Sequence, residues 1–153
     1  MKLTHISDGK VRMVDVSEKE DVARRAIAEG FIRLRRETLE LIRRGEVEKG
    51  NVFAVASVAA VMAAKKTPEL IPLCHPLPLT SVKVDFDILD DGVKVTCEVR
   101  ATAKTGVEME ALTAASAALL AIWDMVKSAE KDESGNYPFT RIEYVRVVEK
   151  VKG

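Results

Sequence analysis

Aromatic side chains are scarce in this chain: one Trp, two Tyr and four Phe, or 5% of 153 residues. Modules that read single-stranded RNA stack bases on aromatics carried by their central strands. The two stretches that alternate like central strands here, 81–89 and 93–103, carry only Phe86, which disfavours an RNA-binding module. An excess of charge of one sign is missing as well. The 24 basic side chains balance 24 acidic ones, so no general attraction to nucleic acid or to an acidic membrane is expected. Two cysteines, Cys74 and Cys97, do not make a disulfide framework. The two histidines, His5 and His75, leave Cys74 without further ligands at metal spacing, so no metal or cofactor is required. The longest apolar run is broken by Thr113, Ser116 and Asp124, which argues against a membrane span. Residues 1–5 lack the apolar core of a secretory signal. Repeats and low-complexity segments are absent. The expectation is a cytoplasmic, reduced protein with neither nucleic-acid nor membrane partners.

What is present is enough apolar sequence, 47%, for one domain with its own core over residues 1–153, with 1–12 as a loose arm. Met13-Val-Asp-Val16 reads as a short strand. From Val22 to Leu34, small and apolar residues (Ala26, Ala28, Gly30, Ile32) alternate along one face. Gly30 disfavours a helix by ~1 kcal/mol, so this segment is read as a strand. Glu37–Arg44 is a short amphipathic helix stopped by Gly45. Asn51 caps a second helix through Ala64, whose Ala, Val and Phe content predicts burial all round. Thr67 to Pro78 reads as a proline-punctuated loop. Residues 81–89 and 93–103 form a hairpin about Asp90-Asp-Gly92. A long helix covers Val107–Ala129, and Thr140–Val148 is a last strand. The order β-α-α-β-β-α-β points to a ferredoxin-like α+β domain, an antiparallel sheet with helices packed on one face.

The long helix carries ionisable groups at both ends. Glu108 and Glu110 stand where it begins, and Asp124 and Lys127 share a face near its end by their i, i+3 spacing. Such groups are costly to bury in a segment of Ala, Leu, Ile and Trp unless something binds them. The plainer alternative is that they complement the helix dipole. At 1.5 Å per residue, Glu110 and Asp124 lie roughly 20 Å apart and cannot meet around one small substrate in a single subunit. Either two sites exist or the site is shared between copies. A two-fold axis pairing these helices antiparallel would bring the Glu108/Glu110 end of one copy to the Asp124/Lys127 end of the other.

A second candidate is His75, in the loop Lys65-Lys-Thr-Pro-Glu-Leu-Ile-Pro-Leu-Cys-His-Pro-Leu-Pro78. Each proline ring fixes φ and restricts the residue before it, so this loop is stiff enough to aim a side chain; it could equally just close a helix. A third is Lys49, at the entrance of the second helix, where a phosphate is favoured and a solvated lysine is the ordinary alternative. Arg24 or Arg25 could line an anionic pocket, although the arginines at 24, 25, 33, 35 and 36 also read as a charged face.

Four motifs carry a resemblance that covers residues 4–132 without a large gap. They are Met13-Val-Asp-Val-Ser17, Lys49-Gly50, Leu70-Ile-Pro-Leu-Cys-His-Pro-Leu77 and Lys104-Thr-Gly-Val-Glu-Met-Glu-Ala-Leu-Thr-Ala-Ala-Ser116. The chain resembles the MoaC family of molybdenum cofactor biosynthesis, the cyclic pyranopterin monophosphate synthases. The resemblance implies a ferredoxin-like fold and a homohexamer built as a trimer of dimers, with active sites at the dimer interface. The implied reaction is that of a lyase, which turns a 3′,8-cyclised dihydro-GTP into cyclic pyranopterin monophosphate and releases pyrophosphate. By the same resemblance Asp124, Lys127 and Lys49 are catalytic, while Leu73, Cys74, His75, Glu108, Met109, Glu110 and Arg24 bind substrate. A Mg²⁺ ion could accompany the triphosphate. A reading from another class is an oligomer that binds a nucleotide or pterin without transforming it. The C-terminus departs from the family's Lys-Ser-Gly-Gly-Lys-Ser-Gly-like tail: here the chain ends Val147-Val-Glu-Lys-Val-Lys-Gly153, with Lys150 the one counterpart, and the loop Asp132–Pro138 differs too.

Overall fold

A computed structural model of the chain describes residues 6, 7 and 9–153, so His5 lies outside the described residues. Part of the expected loose arm is paired: β1 (Ile6–Ser7) and β2 (Lys10–Val11) form a small antiparallel ribbon. Met13–Val16 is not the strand its β-prone residues predict. A strand needs a neighbouring edge to satisfy its backbone, and here the Val14 carbonyl is met instead by the His75 ring, Nε2 to O 2.6 Å.

The remaining elements are β3 (Val22–Arg33), α1 (Arg36–Arg44), α2 (Val52–Lys65), α3 (Thr67–Leu70), β4 (Leu79–Ile88), β5 (Gly92–Ala103), α4 (Glu108–Glu130) and β6 (Arg141–Lys152). Strands β4-β5-β3-β6 lie side by side in that order, every neighbouring pair antiparallel. Helices α2 and α4 pack on each other; α4 lies across β3, β5 and β6, and α2 covers β4. This is the expected α+β arrangement, with α3 added at the start of the proline loop, where Pro68 sits in the first turn without an N–H to waste.

Small residues set the spacing between sheet and helices. Ala26, Ala28, Gly30 and Ile32 of β3 and Val93, Val95, Cys97 and Val99 of β5 are buried against Ala111, Ala114, Ala115, Ala118 and Leu119 of α4. A Cβ on Gly30 would lie 2.7 Å from Leu119 Cδ1 and 3.1 Å from the Tyr144 carbonyl oxygen. The residue that weakens this segment as a helix is thus the one that lets α4 approach the strand. By length and composition α4 could cross a bilayer. Contrary to the reading from its interruptions, what marks it as a core helix is this packing. On the opposite face of the sheet Arg25 pairs with Glu98 and Glu149, Arg146 with Glu29 and Arg33 with Glu143.

Helix ends follow the sequence closely. Gly45 takes the left-handed conformation after α1 (φ 66°), and the Asn51 side chain accepts a hydrogen bond from Ala54 N at 3.0 Å. The expected burial of α2 on all sides is wrong. Val52, Ala56, Ala60, Ala63 and Ala64 face the core, whereas Val55, Val58 and Met62 are 44%, 59% and 50% exposed. Apolar composition on both faces hides which one the chain itself can cover.

A buried carboxyl ties three elements together at the end of α4. Glu130 is fully buried. Its oxygens accept from the Arg35 backbone N–H (3.1 Å), the Thr38 hydroxyl and the Thr140 hydroxyl (2.6 Å), and its carbonyl accepts from Arg35 Nε at 3.3 Å. An acidic group at a helix C-terminus opposes the dipole, so these bonds, rather than the helix, hold it in place. Glu130→Ala strands two buried hydroxyls and a backbone N–H and is expected to lower unfolding free energy by about 3 kcal/mol. Glu130→Gln, which keeps one acceptor oxygen, should fall between, as read by denaturant unfolding.

Candidate active site

The stiff loop after α3 lays Leu73, Cys74 and His75 against the first turn of α4, where Glu108, Met109 and Glu110 project. All six line one cavity of about 270 Å³. Because a carbonyl only accepts, the His75–Val14 contact requires the proton on Nε2. The irregular segment 12–16 therefore closes one wall of the cavity. Lys19 extends that wall, its carbonyl accepting from Lys104 Nζ at 2.9 Å. The motif Met13–Ser17 carries the family resemblance without pointing to a place in the site; its β-branched residues mask a segment whose use is its backbone.

Glu110 is the unusual group. It is 2% exposed, and its Oε1 is buried without a hydrogen-bond partner. Burial pushes its carboxyl above the ordinary carboxylate range, its own backbone N–H opposes the shift, and neighbouring Glu108 adds to it. Burial first, then Glu110 and Glu108, also push the Cys74 thiol up, so Cys74 is poorly suited to act as a thiolate. Glu108 is less isolated: Oε2 stands 3.3 Å from Lys150 Nζ on β6, although without hydrogen-bond geometry. Strand β6 runs to Lys152, past the Val148 expected, which is how Lys150 reaches this end of α4. Gly106 makes room for the pair, since a Cβ there would sit 2.4 Å from Glu108 Oε2 and 2.7 Å from Lys150 Cε.

The second cluster forms near the other end of α4. The turn Val47–Gly50 between α1 and α2 carries Lys49 to Asp124: Nζ is 3.3 Å from Oδ2 and donates to the Asp124 carbonyl at 3.0 Å. Lys127 Nζ is 3.3 Å from Oδ1. The three expected catalytic residues thus meet, all at the surface. Hydrogen bonds from Lys127 and then Lys49 hold the Asp124 carboxyl below its usual range. A carboxylate between two ammonium groups leaves one net positive charge to offer an anion.

Arg24 joins neither cluster. It is buried, with Nε and Nη2 donating to the carbonyls of Ala103 (3.3 Å) and Lys104 (3.0 Å), so it braces the turn that leads into Glu108. Since α4 is unbroken, roughly 20 Å separates Glu110 from Asp124. Among the described residues no group of three or more His, Cys, Asp or Glu could hold a metal ion.

Unfolded, Glu110 titrates near 4.5; folded, it keeps its proton to higher pH. Between those two values the folded state binds more protons, so stability falls as pH rises through the window. Glu110→Gln removes that dependence. Its melting temperature should exceed the wild type's at roughly pH 8 and converge with it towards pH 4.5, as thermal melts across that range would read out.

The motifs that build both clusters lie inside a match to known proteins. The model of the MoaC family matches residues 13–153. A protein of Archaeoglobus fulgidus named probable cyclic pyranopterin monophosphate synthase is 69% identical over 153 residues, which is 100% of this chain and 98% of the relative. Proteins with the same name from Methanosarcina mazei (64% over 150 residues, 98% and 96%) and Thermococcus kodakarensis (63% over 151 residues, 99% and 97%) match along the same extent. With both ends of α4, the proline loop, the Lys49 turn and β6 all inside these matches, the chain belongs to the MoaC family.

Proposed function

We propose that this chain is a cyclic pyranopterin monophosphate synthase, a lyase of molybdenum cofactor biosynthesis. It would convert 3′,8-cyclo-7,8-dihydro-GTP to cyclic pyranopterin monophosphate with release of pyrophosphate. The observation that carries the reading is the meeting of Lys49, Asp124 and Lys127, in a chain whose relatives bear that name along their whole length.

Closing the cyclic phosphate requires a sugar hydroxyl oxygen to attack the α-phosphorus. The bond from that phosphorus to the bridging oxygen breaks, pyrophosphate leaves, and the hydroxyl proton must be taken up. Lys127 is the group we assign to this proton. Asp124 orients it and relays the proton, and Lys49 neutralises charge on the departing phosphates. Leu73, Cys74, His75, Glu108, Met109 and Glu110 would hold the ring portion, and Arg24 contributes through the turn it braces. A Mg²⁺ ion would enter with the triphosphate, whose oxygens suit it.

The 20 Å separation implies that each active site combines the cavity of one copy with the lysine cluster of another. The unpartnered apolar side chains Val55, Val58 and Met62 on α2 are the kind of surface a permanent partner covers. The assembly proposed is a homohexamer, a trimer of such dimers, working in the cytoplasm.

Two experiments test this. Given the cyclised dihydro-GTP, wild type should release pyrophosphate and yield a pterin that fluoresces after oxidation, while Lys127→Ala yields neither; tight binding by wild type without products would sink the synthase reading. Glu110→Ala and Lys127→Ala, each inactive alone, should complement when co-refolded. Random pairing makes half the dimers mixed, each with one intact site of two, so about one quarter of wild-type activity returns. No recovery would mean that one chain supplies the whole site.

A further inference from the structure

The sole tryptophan of the chain, Trp123, adjoins Asp124 and is used by nothing described so far. It lines a cavity of about 380 Å³ with Leu120, Ile142, Asp124 and Lys127. That cavity is apolar on three side chains and charged on two. Its indole is held from outside α4 by Tyr137, ring centroids 5.1 Å apart and the planes at 69°. Tyr137 sits in the loop that follows the helix, and the loop is fixed along its length. Asp132 Oδ1 accepts from Ser134 N, Ser134 Oγ and Asn136 N; Asp132 N donates back to the Asn136 carbonyl; and Arg33 both donates to the Phe139 carbonyl at 2.9 Å and lies 4.4 Å over the Phe139 ring. Thr140, bonded to Glu130, closes the segment.

We infer that Trp123 is a ring-contact residue of the active site, the apolar wall against which the flat purine-derived ring system of the substrate lies beside Lys127, and that Tyr137 is a positioning residue that sets its indole. The inference rests on the synthase reading. Three features favour a substrate ring over a second copy of the chain as the occupant. The rim is Asp124 and Lys127, with Lys49 bonded to Asp124, whereas the cores of protein interfaces are depleted of charge. The net positive charge of that rim complements an anionic nucleotide. A half-buried indole with an edge-on aromatic neighbour keeps a face for stacking, an interaction every heterocyclic base can make.

The lone Trp is its own reporter. In Lys127→Ala, expected to give no product, the cyclised dihydro-GTP should quench Trp emission saturably and shield it from acrylamide. Trp123→Ala should raise KM roughly tenfold and Trp123→Phe, which keeps a ring, no more than about threefold. Tyr137→Ala should raise KM roughly two- to tenfold, leaving kcat and its pH profile unchanged, and Tyr137→Phe should behave as wild type. Turnover by wild type with Trp emission indifferent to substrate would overturn the inference. So would emission that follows protein concentration instead, because a second copy would then be covering the indole. Quenching without turnover would sink the synthase reading and leave the ring contact standing.

Discussion

The close approach of α4 to β3 is the constraint on which the rest depends. Ala26, Ala28 and Gly30 on the strand and Ala111, Ala114, Ala115 and Ala118 on the helix are all buried; none of these carries more than a methyl, and Leu119 seats over Gly30. Interiors are packed to crystal-like density, so a helix seated this way has little freedom to tilt or slide. Its rigidity is what makes the distance between its two ends a meaningful quantity. A loop-borne pair of clusters could fold together around one substrate; these two, at Glu110 and Asp124, are held 14 helical steps apart on one uninterrupted helix.

Each end of α4 is then anchored differently. At the start, buried carboxyls meet a stiff proline loop, an irregular segment and a lysine arriving from β6. At the far end, Glu130 gathers the first turn of α1 and the entry to β6 onto the helix. Because α1 leads through Gly45 to the Val47–Gly50 turn, fixing α1 also fixes where Lys49 can reach. The buried Glu130 bonds and the surface Lys49–Asp124 pair are therefore successive parts of one arrangement. The first stabilises the fold; the second, exposed to water, is worth little to stability, and its part lies in the proposed handling of an anion.

Much of this was legible in the chain. The alternation of Val22–Leu34 about Gly30, the cap at Asn51, the stop at Gly45 and the Asp90-Asp-Gly92 turn are local signals with local causes, and each element forms where expected. The 20 Å argument needed only a helix and its rise. What was not legible depends on distant partners. Glu130 reads in sequence as one more charged residue at a helix end, since Thr38 lies 92 residues away and Thr140 is brought back to it only by the fold of the loop that follows the helix. Met13–Val16 has strand composition but no strand beside it. The outward face of α2 looks like core because its apolar composition is the same on both faces, and only packing decides which one the chain covers. Lys49, Asp124 and Lys127 were grouped by resemblance to a family rather than by spacing, because nothing in a sequence brings residue 49 to residue 124.

The chemical contrast between the two ends gives the division of labour a physical basis. A buried carboxyl with an unfilled acceptor oxygen, as at Glu110, costs stability unless a donor arrives. The ligand it suits offers N–H groups in a dry site, as the edge of a guanine-derived ring does. An exposed carboxylate between two ammonium groups has no unfilled need of its own and carries a surplus of positive charge, which suits phosphates and a group that can move a proton. A nucleotide presents both features, but its reacting α-phosphorus lies much closer to its ring edge than the roughly 20 Å between these groups on α4. The mismatch in length is removed when a second copy is turned antiparallel, so that unlike ends meet. The same rotation would withdraw the lysine cluster from bulk water, which strengthens its interaction with charge developing on a reacting phosphate. In the proposed dimer, assembly and chemistry therefore ask for the same operation.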